Sequence, residues 1–183
     1  DFSYLGRSST WVKWAVPTAE ALRQACLAKE SRISQGIPLL PSIFVTSIDV
    51  SNSKFMGQIY LEFNQQYNAI IGGRGTGKST ILEYLRWGLC DQFPEASRDD
   101  DDIPGYQEKR KKLIEKTLLP FESTVQISFV KNNIPHVIRR KANTNEISLK
   151  IGAGEFEPCT EENVRNLLPI QAYSQKQLSS VGV

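Results

Sequence analysis

The sequence predicts an α/β fold built around a strand, a glycine-rich loop and a helix that follow one another directly. Residues 68–71 form a short apolar run of the kind that is buried inside a sheet. The run ends on residues 72–79, Gly-Gly-Arg-Gly-Thr-Gly-Lys-Ser. From Lys78 the apolar spacing is helical, and no glycine or proline intervenes before Gly88. Residues 123–130 alternate between polar and apolar side chains, which predicts a half-buried strand beside this unit.

A segment rich in proline and glycine divides the chain. Residues 17–31 carry apolar side chains at helical spacing and predict an amphipathic helix, with Pro17 in its first turn. Residues 36–41 contain a glycine and two prolines, and residues 42–50 after them read as a strand. We therefore expect an N-terminal extension over residues 1–41 and an α/β domain over residues 42–183.

The other elements of the larger domain are expected as follows. Strands are predicted at 58–63, 134–140, 146–151 and 169–173, with Asn132-Asn133 as a turn. The polar stretch 91–105, which contains four consecutive aspartates, predicts a solvated loop. Helices are expected over the basic segment 107–119 and after Thr160. The strands after the glycine loop therefore form an antiparallel meander.

Composition limits the partners, the metal sites and the cellular compartment that we expect for this chain. The 183 residues carry a formal net charge of +2, too small by itself to indicate nucleic acid or an anionic membrane as a partner. Cys26, Cys90 and Cys159 are odd in number and widely spaced, which argues against a disulfide framework and a zinc site. No apolar run is long enough for a bilayer, and the first residues do not resemble a signal peptide. We expect a cytoplasmic protein, and a chain that begins inside a longer polypeptide.

The glycine loop has the spacing of a Walker A motif. Gly72, Gly75 and Gly77 let the backbone approach phosphate oxygens, so that successive N–H groups form a cradle at a helix N-terminus. Lys78 is expected to contact the β- and γ-phosphates, and the Ser79 hydroxyl to coordinate Mg²⁺. The predicted ligands of ATP and Mg²⁺ are Gly72, Gly73, Arg74, Gly75, Thr76, Gly77, Lys78, Ser79 and Thr80. The alternative is a glycine-rich turn of purely structural purpose.

These elements resemble the N-terminal lobe of ABC-type ATPase heads of the SMC and RecF group. The resemblance rests on the strand pair 43–50 and 58–63, on residues 67–72, and on the loop itself. It implies a P-loop NTPase in which a parallel core sheet carries an antiparallel β-subdomain. Residues 168–178 resemble the strand and Q-loop that close this lobe. The resemblance therefore implies that Gln175 is catalytic together with Lys78 and is a metal ligand together with Ser79, with Gln177 as the alternative.

A second resemblance covers the N-terminal extension. Residues 6–14, Pro17-Thr18 and residues 21–25 are similar to the connector of bacterial TrlF-like ATPases, in which a PHP-type phosphoesterase domain precedes an SMC-like head. The metal-binding His and Asp motifs of such a domain are absent from this sequence. The resemblance implies that any PHP domain would lie before Asp1, and that a nuclease or phosphoesterase is a partner or a neighbouring domain.

Several motifs of a complete ATPase head are missing. The sequence has no LSGGQ-like signature, no apolar strand that ends in Asp-Glu, and no switch histidine after such a strand. In the SMC and RecF group these parts belong to the C-terminal lobe. The resemblance therefore implies a half-head, which forms homodimers or higher oligomers and hydrolyses ATP only with the missing lobe and a second head.

The function expected from the sequence is an ATPase half-head in which ATP-driven dimerisation controls DNA processing or a nuclease, in genome maintenance or anti-phage defence. The alternative is a nucleotide-sensing scaffold that does not hydrolyse ATP. A P-loop kinase that acts on a small molecule is disfavoured, because the long β-meander between the helix after the loop and Gln175 suits such a kinase badly. The basic runs 109–112 and 139–141 either face DNA phosphates or are solvated. His136, the single histidine, is expected to be structural.

Overall fold

The computed structural model describes residues 9–14, 16–91, 103–170 and 172, with the backbone alone for 103–107. The chain divides into two compact units, Asp1–Leu40 and Pro41–Val183. In the first unit, strand β1 (Trp11–Val12) pairs antiparallel with β2 (Ile33–Ser34). Helices α1 (Ala19–Leu27) and α2 (Lys29–Arg32) lie between these strands in the sequence.

The single helix predicted over residues 17–31 is two helices, and Pro17 lies before the first of them. Thr18 is the N-cap of α1, and its hydroxyl accepts a hydrogen bond from the Ala21 N–H at 3.1 Å. Ala28 leaves the helical conformation with φ −112° and ψ 44°. That backbone break ends α1 and starts the short α2.

The second unit contains one six-stranded sheet with the strand order β4-β3-β5-β6-β7-β8. The turn at Asn132 and Asn133 has φ of 50° and 64°, the left-handed region that asparagine tolerates. The predicted meander is confirmed, and β3 and β4 belong to the same sheet. The strands are β3 (Ile43–Val50), β4 (Ile59–Glu62), β5 (Thr124–Lys131), β6 (Ile134–Lys141), β7 (Ile147–Ile151) and β8 (Glu157–Pro158).

Two segments predicted as strands, residues 68–71 and 169–173, have no strand assignment where the structure describes them. All pairings among the described strands are antiparallel. Residues 68–71 have no strand assignment, and neither do Pro169, Ile170 and Ala172. A strand needs a neighbour that accepts and donates its backbone hydrogen bonds. Within the described ranges no segment pairs with either run, and the mixture of helices and strands confirms the predicted α/β class.

The helices of the second unit follow the sequence pattern closely. They are α3 (Lys78–Gly88), α4 (Ile103–Thr117), a short 3₁₀ turn (Leu119–Phe121) and α5 (Glu161–Leu167). Helix α4 begins earlier than predicted, so residues 103–105 are helical rather than loop, and the aspartate run lies outside the described residues. Thr160 caps α5 as expected, since its hydroxyl accepts from the Asn163 N–H at 3.2 Å. No helix in the described ranges is long and apolar enough to cross a bilayer.

Helices α3 and α4 bury apolar residues together with the sheet. Gly88 lets α3 approach β5 closely, because a Cβ there would lie 2.5 Å from Ile127 Cδ1.

His136 is buried in the sheet, stacked on Phe129 at 4.9 Å between ring centroids, and its Nδ1 lies 2.8 Å from Ile134 O. This is a structural environment for the histidine. The core includes Ile48, Val50, Ile81, Tyr84, Leu89, Ile114, Leu118, Val125, Ile127, Phe129 and Ile138.

A charged network joins α3 to α4. Arg86 Nε donates to Asp91 Oδ2 at 2.7 Å, and Arg110 Nε donates to Glu83 Oε2 at the same distance. The network is closed by Arg86 Nη1 to Glu83 at 3.1 Å and by Arg110 Nη2 to Asp91 at 3.3 Å. These groups are largely buried, so each charge is stabilised by its oppositely charged neighbours. Removal of one side chain would leave a buried charge without compensation. The network fixes the C-terminal half of α3 against α4.

Arg140 fixes the end of α3 against β6 and α5. Its side chain is buried, and its Nη1 donates to Trp87 O at 2.7 Å while its Nη2 bonds Glu161. Arg165 Nη1 contacts the same Glu161 at 3.3 Å and lies 3.4 Å from Cys90 O. A cation at the carbonyl end of a helix is favourable. With its C-terminal end held in this way, α3 presents its N-terminal end and the glycine loop at a defined place.

The three cysteines are free thiols in different environments. Cys26 is exposed, Cys159 is half-buried, and Cys90 is buried. Burial raises the pKa of the Cys90 thiol to about 11, and burial also raises the pKa of Cys159. Cys90 therefore remains a protonated, inaccessible thiol at neutral pH.

We expect Cys26 to be alkylated first in the native protein near neutral pH, and Cys90 to react only after the domain unfolds. The reason is that alkylation requires an accessible thiolate. Peptide mass spectrometry after timed alkylation, with and without urea, measures this order. Cys26→Ser should remove the fastest reaction. Equal rates for Cys90 and Cys26 without urea would contradict the burial of Cys90.

Candidate nucleotide-binding site

The glycine loop reaches α3 through two left-handed residues. Gly75 has φ of 82°, and Gly77, the N-cap residue of α3, has φ of 86°. A residue with a Cβ is strained in this region by about 1–2 kcal/mol. The loop therefore wraps over the N-terminus of the helix only because glycine occupies both positions.

Close contacts add a steric reason for glycine. A Cβ at Gly77 would lie 2.7 Å from Met56 Sδ and 2.9 Å from Met56 Cε. A Cβ at Gly72 would lie 2.8 Å from Thr76 Oγ1. These distances are shorter than van der Waals contact. The loop therefore packs against its own Thr76 side chain on one side and against the turn that contains Met56 on the other.

Lys78 is the first residue of α3 and folds back over the loop. Its Nζ donates to Gly72 O at 2.6 Å and to Gly73 O at 2.5 Å, and it lies 3.5 Å from Thr76 Oγ1. Thr76 Oγ1 also donates to Gly73 O at 3.0 Å. The site combines an ammonium group, a glycine backbone and a helix N-terminus. Each of these attracts anionic oxygen, so the residues present fit a polyphosphate.

The remaining predicted ligands lie in the loop and in the first turn of α3. Arg74 and Ser79 are exposed, and Thr80 is half-buried in the first turn of α3. The Ser79 hydroxyl follows Lys78 directly, where it would reach a cation held by the phosphates. The structure thus places the Walker A residues 72–80 together. Gln175 and the alternative Gln177 lie outside the described residues.

The structure adds a turn that the sequence pattern did not indicate. Phe55 has φ of 78°, is 89% exposed, and lies beneath Lys54, whose Nζ is 5.4 Å from the ring centroid. Met56 of the same turn contacts Gly77. Together with Thr80 and Tyr84, these residues line a cavity of about 340 Å³ beside the glycine loop. The only feature of the sequence that could have indicated this turn as part of the site is an aromatic residue, Phe55, within a polar stretch.

Backbone and side-chain hydrogen bonds hold this turn. The Gly57 N–H donates to Ser53 O at 2.9 Å, and Ser53 Oγ donates to Gly57 O at 3.2 Å. The Lys54 N–H donates to Thr117 O at 2.9 Å, at the C-terminal end of α4. A phenylalanine with positive φ costs energy and persists only when its surroundings enforce it. The turn therefore connects the C-terminal end of α4 to the glycine loop.

A larger cavity of about 750 Å³ opens on the other side of Lys78 and Ser79. The run 68–71, which has no strand partner among the described residues, contributes Asn68, Ala69 and Ile70 to its wall. Ile71 beside it is 91% exposed. Neither cavity is lined by a carboxylate of the described chain. The other lining residues are mostly apolar and include Ile43, Val45, Phe63, Ile81, Leu82 and Leu85.

A glycine loop that caps a helix beside a β-sheet, with a lysine and then a hydroxyl at the first two positions of that helix, defines a P-loop ATPase domain. The sequence pattern of the AAA domain family matches residues 47–180, and the chain belongs to this family. No curated protein sequence matches the chain. One similar solved structure is described by the words "ATP-driven dimerization and DNA stimulated activation of SMC ATPases". It shares 14% identity over 75% of this chain and 90% of that chain, with a TM-score of 0.45.

We expect Gly77→Ala to lower the free energy of unfolding by about 1–2 kcal/mol, because alanine is strained at positive φ and its Cβ would collide with Met56. Urea unfolding measures this change. Gly73→Ala is the matched control for folding, since its Cβ would meet only Thr76 Cγ2 at 3.9 Å. The interpretation fails if both variants unfold at the same urea concentration as the unchanged chain.

Proposed function

We propose that this chain is the ATP- and Mg²⁺-binding half of an SMC-like ATPase. The observation that carries the proposal is the position of Lys78 Nζ over the glycine loop, with the carbonyl oxygens of Gly72 and Gly73 within 2.6 Å. Those carbonyl oxygens hold the ammonium group at the loop. When a nucleotide binds, its phosphate oxygens would replace the carbonyl oxygens as hydrogen-bond acceptors. Hydrogen bonds to charged groups are worth about 1.5–3 kcal/mol each.

The bound nucleotide would supply the phosphoryl group that is transferred to water, and Mg²⁺ would neutralise charge on its oxygens. The chain's own part is to bind and orient. The loop N–H groups and Lys78 hold the triphosphate, and Ser79 is a ligand of the metal. Gln175 is proposed as the second metal contact and as a catalytic residue, on the resemblance of residues 168–178 to a Q-loop.

Hydrolysis is proposed only for a completed site. One cavity lies beside Gly75 to Gly77 and the other beside Lys78 and Ser79, and neither presents a carboxylate of the described residues that could hold the metal or orient water. The larger cavity is mostly apolar and borders residues 68–71, which have no strand partner among the described residues. A strand of a C-terminal lobe, added parallel to residues 68–71, would satisfy the backbone groups and cover this surface.

The wider setting follows from the same proposal. We propose that two such heads dimerise around ATP in the cytoplasm and that dimerisation controls DNA processing or a nuclease or phosphoesterase effector, in genome maintenance or anti-phage defence. Support for this step comes from the sequence resemblance to SMC, RecF and TrlF-like ATPases, in the loop, in residues 168–178 and in the N-terminal connector.

The second candidate function is a nucleotide-sensing scaffold that binds ATP without turning it over. The same lack of a carboxylate in the two cavities favours it. In this case, ATP would stabilise an assembly with another protein, by an amount set by its concentration relative to its dissociation constant. Measured turnover separates the two functions.

We expect Lys78→Ala to weaken ATP binding by about 10- to 100-fold, because one charge-assisted contact is lost. The first measurement is ATP binding and steady-state hydrolysis by the intact polypeptide, with and without linear duplex DNA. DNA-stimulated turnover that disappears in the variant supports the SMC-like ATPase. ATP binding without turnover supports the scaffold. Equal ATP affinity of the variant and the unchanged chain would refute the site itself.

We expect Phe55→Ala to weaken ATP binding by about tenfold while binding of inorganic tripolyphosphate remains unchanged. The proposal is that this exposed ring, which lines the cavity beside the glycine loop, stacks on the base, and such stacking is worth about 1–3 kcal/mol. Isothermal titration with both ligands measures the difference.

Phe121→Ala is the matched control for Phe55→Ala. Phe121 is a second exposed phenylalanine, and it lines neither cavity beside the loop. Its replacement should leave both affinities unchanged. If Phe55→Ala weakens ATP and tripolyphosphate equally, Phe55 acts on the shape of the loop and does not contact the base.

A further inference from the structure

The six-stranded sheet has two different faces. On the core face, buried residues of β3, β5 and β6 pack together with α3 and α4, and a Cβ at Gly88 would touch Ile127. Side chains alternate between the two faces along a strand, so the residues between the buried ones point the other way. These residues form the outer face, which includes Asp49, Gln126 and Arg139, and none of the three is buried.

The strand register arranges the outer face in three rows that cross the sheet. Each of the first two rows has one acid on the β4 and β3 side and one base on the β6 and β7 side. The third row is apolar, and the residues of β5 are uncharged in all three rows. The first row is Tyr60, Asp49, Gln126, Arg139 and Ser148, the second is Glu62, Ser47, Ser128, Val137 and Lys150, and the third is Phe44, Val130 and Pro135.

The charges of the outer face form no ion pair among the described residues. Glu62 accepts a hydrogen bond from Tyr60 Oη at 2.8 Å. The guanidinium carbon of Arg139 lies 3.6 Å from the centroid of the Phe156 ring, and Lys150 Nζ lies 6.0 Å from the same centroid. Both cations therefore lie beside one aromatic ring, and their charge is available to an acidic partner.

We propose that the outer face is a contact surface for a second copy of this chain, related to the first by a twofold axis along β5. Rotation about this axis leaves each row facing the same row of the partner and exchanges the β3 side with the β6 side. Asp49 then faces the partner's Arg139, and Glu62 faces the partner's Lys150. The apolar row meets the apolar row, and the uncharged residues of β5 meet one another.

The charge pattern selects this axis over the other twofold axis that could relate two stacked sheets. An axis across the strands, through the second row, would place every strand over the same strand of the partner. Glu62 would then face the partner's Glu62, and Lys150 would face the partner's Lys150. A twofold contact must be complementary to itself, and like charges placed opposite each other disfavour it. The outer face is self-complementary about β5 alone.

The size of the face sets the strength of the contact. Strands lie about 4.8 Å apart and alternate residues about 6.8 Å apart, so five strands and three rows cover about 500 Å² on each copy. The total of about 1,000 Å² is at the lower limit for a specific interface. Twisted sheets that pack face to face cross at about 30°, so the closest contacts lie on β5 and its neighbours. We expect a reversible dimer of micromolar or weaker affinity.

This contact goes beyond the proposed function and does not depend on it. In the proposed function, two heads meet around ATP at the glycine loop, which lies at the N-terminus of α3 on the core side of the sheet. The outer face leaves that loop free. A copy that uses both contacts has two different partners, so ATP would join the outer-face dimers into larger assemblies.

The test is sedimentation velocity of the 183-residue chain over a range of concentrations, without nucleotide. Asp49→Lys makes the charges of the first row all positive, and Arg139→Asp makes them all negative. Each variant alone should dimerise about 10- to 100-fold more weakly, because two like-charge contacts replace two opposite ones. An equal mixture of the two variants should associate again, since the positive row of one faces the negative row of the other.

Matched controls make the same changes of charge on α4. Glu115→Lys and Lys111→Glu alter exposed residues away from the outer face and should leave dimerisation unchanged. Ser128→Lys is a further variant that leaves the Arg139 contact with Phe156 intact. On the axis it faces its own counterpart, so it should also weaken dimerisation. Urea unfolding of every variant verifies that the domain is folded.

Three results would overturn the proposal. The first is an unchanged chain that remains monomeric at every concentration. The second is equal weakening by the outer-face and control variants, which would make the effect one of net charge. The third is a mixture of folded Asp49→Lys and Arg139→Asp chains that does not associate, because the two residues would then not face each other. Since no nucleotide is present, none of these results bears on ATP binding at the glycine loop.

Discussion

The position of helix α3 is the constraint on which the rest of the structure depends. Its C-terminal end is fixed by Arg86 and Arg140, and Gly88 lets it pack directly on Ile127 of the sheet. Because the helix is rigid, fixing one end also fixes the other, where Gly77 and Lys78 meet the glycine loop. The position of the glycine loop is thus a consequence of packing about 12–15 Å away along a helix of 11 residues.

Two surfaces beside this helix have different characters. On one side, the Lys54–Met56 turn and residues Leu113 and Thr117 of α4 line the cavity beside the loop, and Lys54 brings a positive charge to it. On the other side, an apolar cavity borders residues 68–71, whose backbone groups have no strand partner in the described chain. Residues 68, 69 and 71 are exposed, so a strand added beside this run would take up backbone groups that now face solvent. The proposed function assigns the first surface to ligands and the second to a missing lobe.

Much of the fold was predictable because the local signals agreed with one another. The alternation in residues 123–130, the Asn132-Asn133 turn, the Thr160 cap and the start of α3 at Lys78 were all correct to within a residue or two. Each depends on short-range chemistry: side-chain period, left-handed turn residues or a capping hydroxyl. The errors occurred where a distant neighbour decides. Residues 68–71 have strand composition without a strand partner, and Ala28 breaks a helix that composition would continue.

The sequence by itself determined the chemistry of the phosphate loop, because Gly72 to Ser79 carry their conformational freedom, charge and hydroxyl in consecutive residues. Only the tertiary structure decided what lies beside that loop. Met56 contacts Gly77 across 20 intervening residues, and Lys54 bonds Thr117 from another helix. Such contacts depend on how the sheet and helices pack, which no local pattern encodes. That is why the exposed Phe55 beside the loop emerged from the fold and not from the motif.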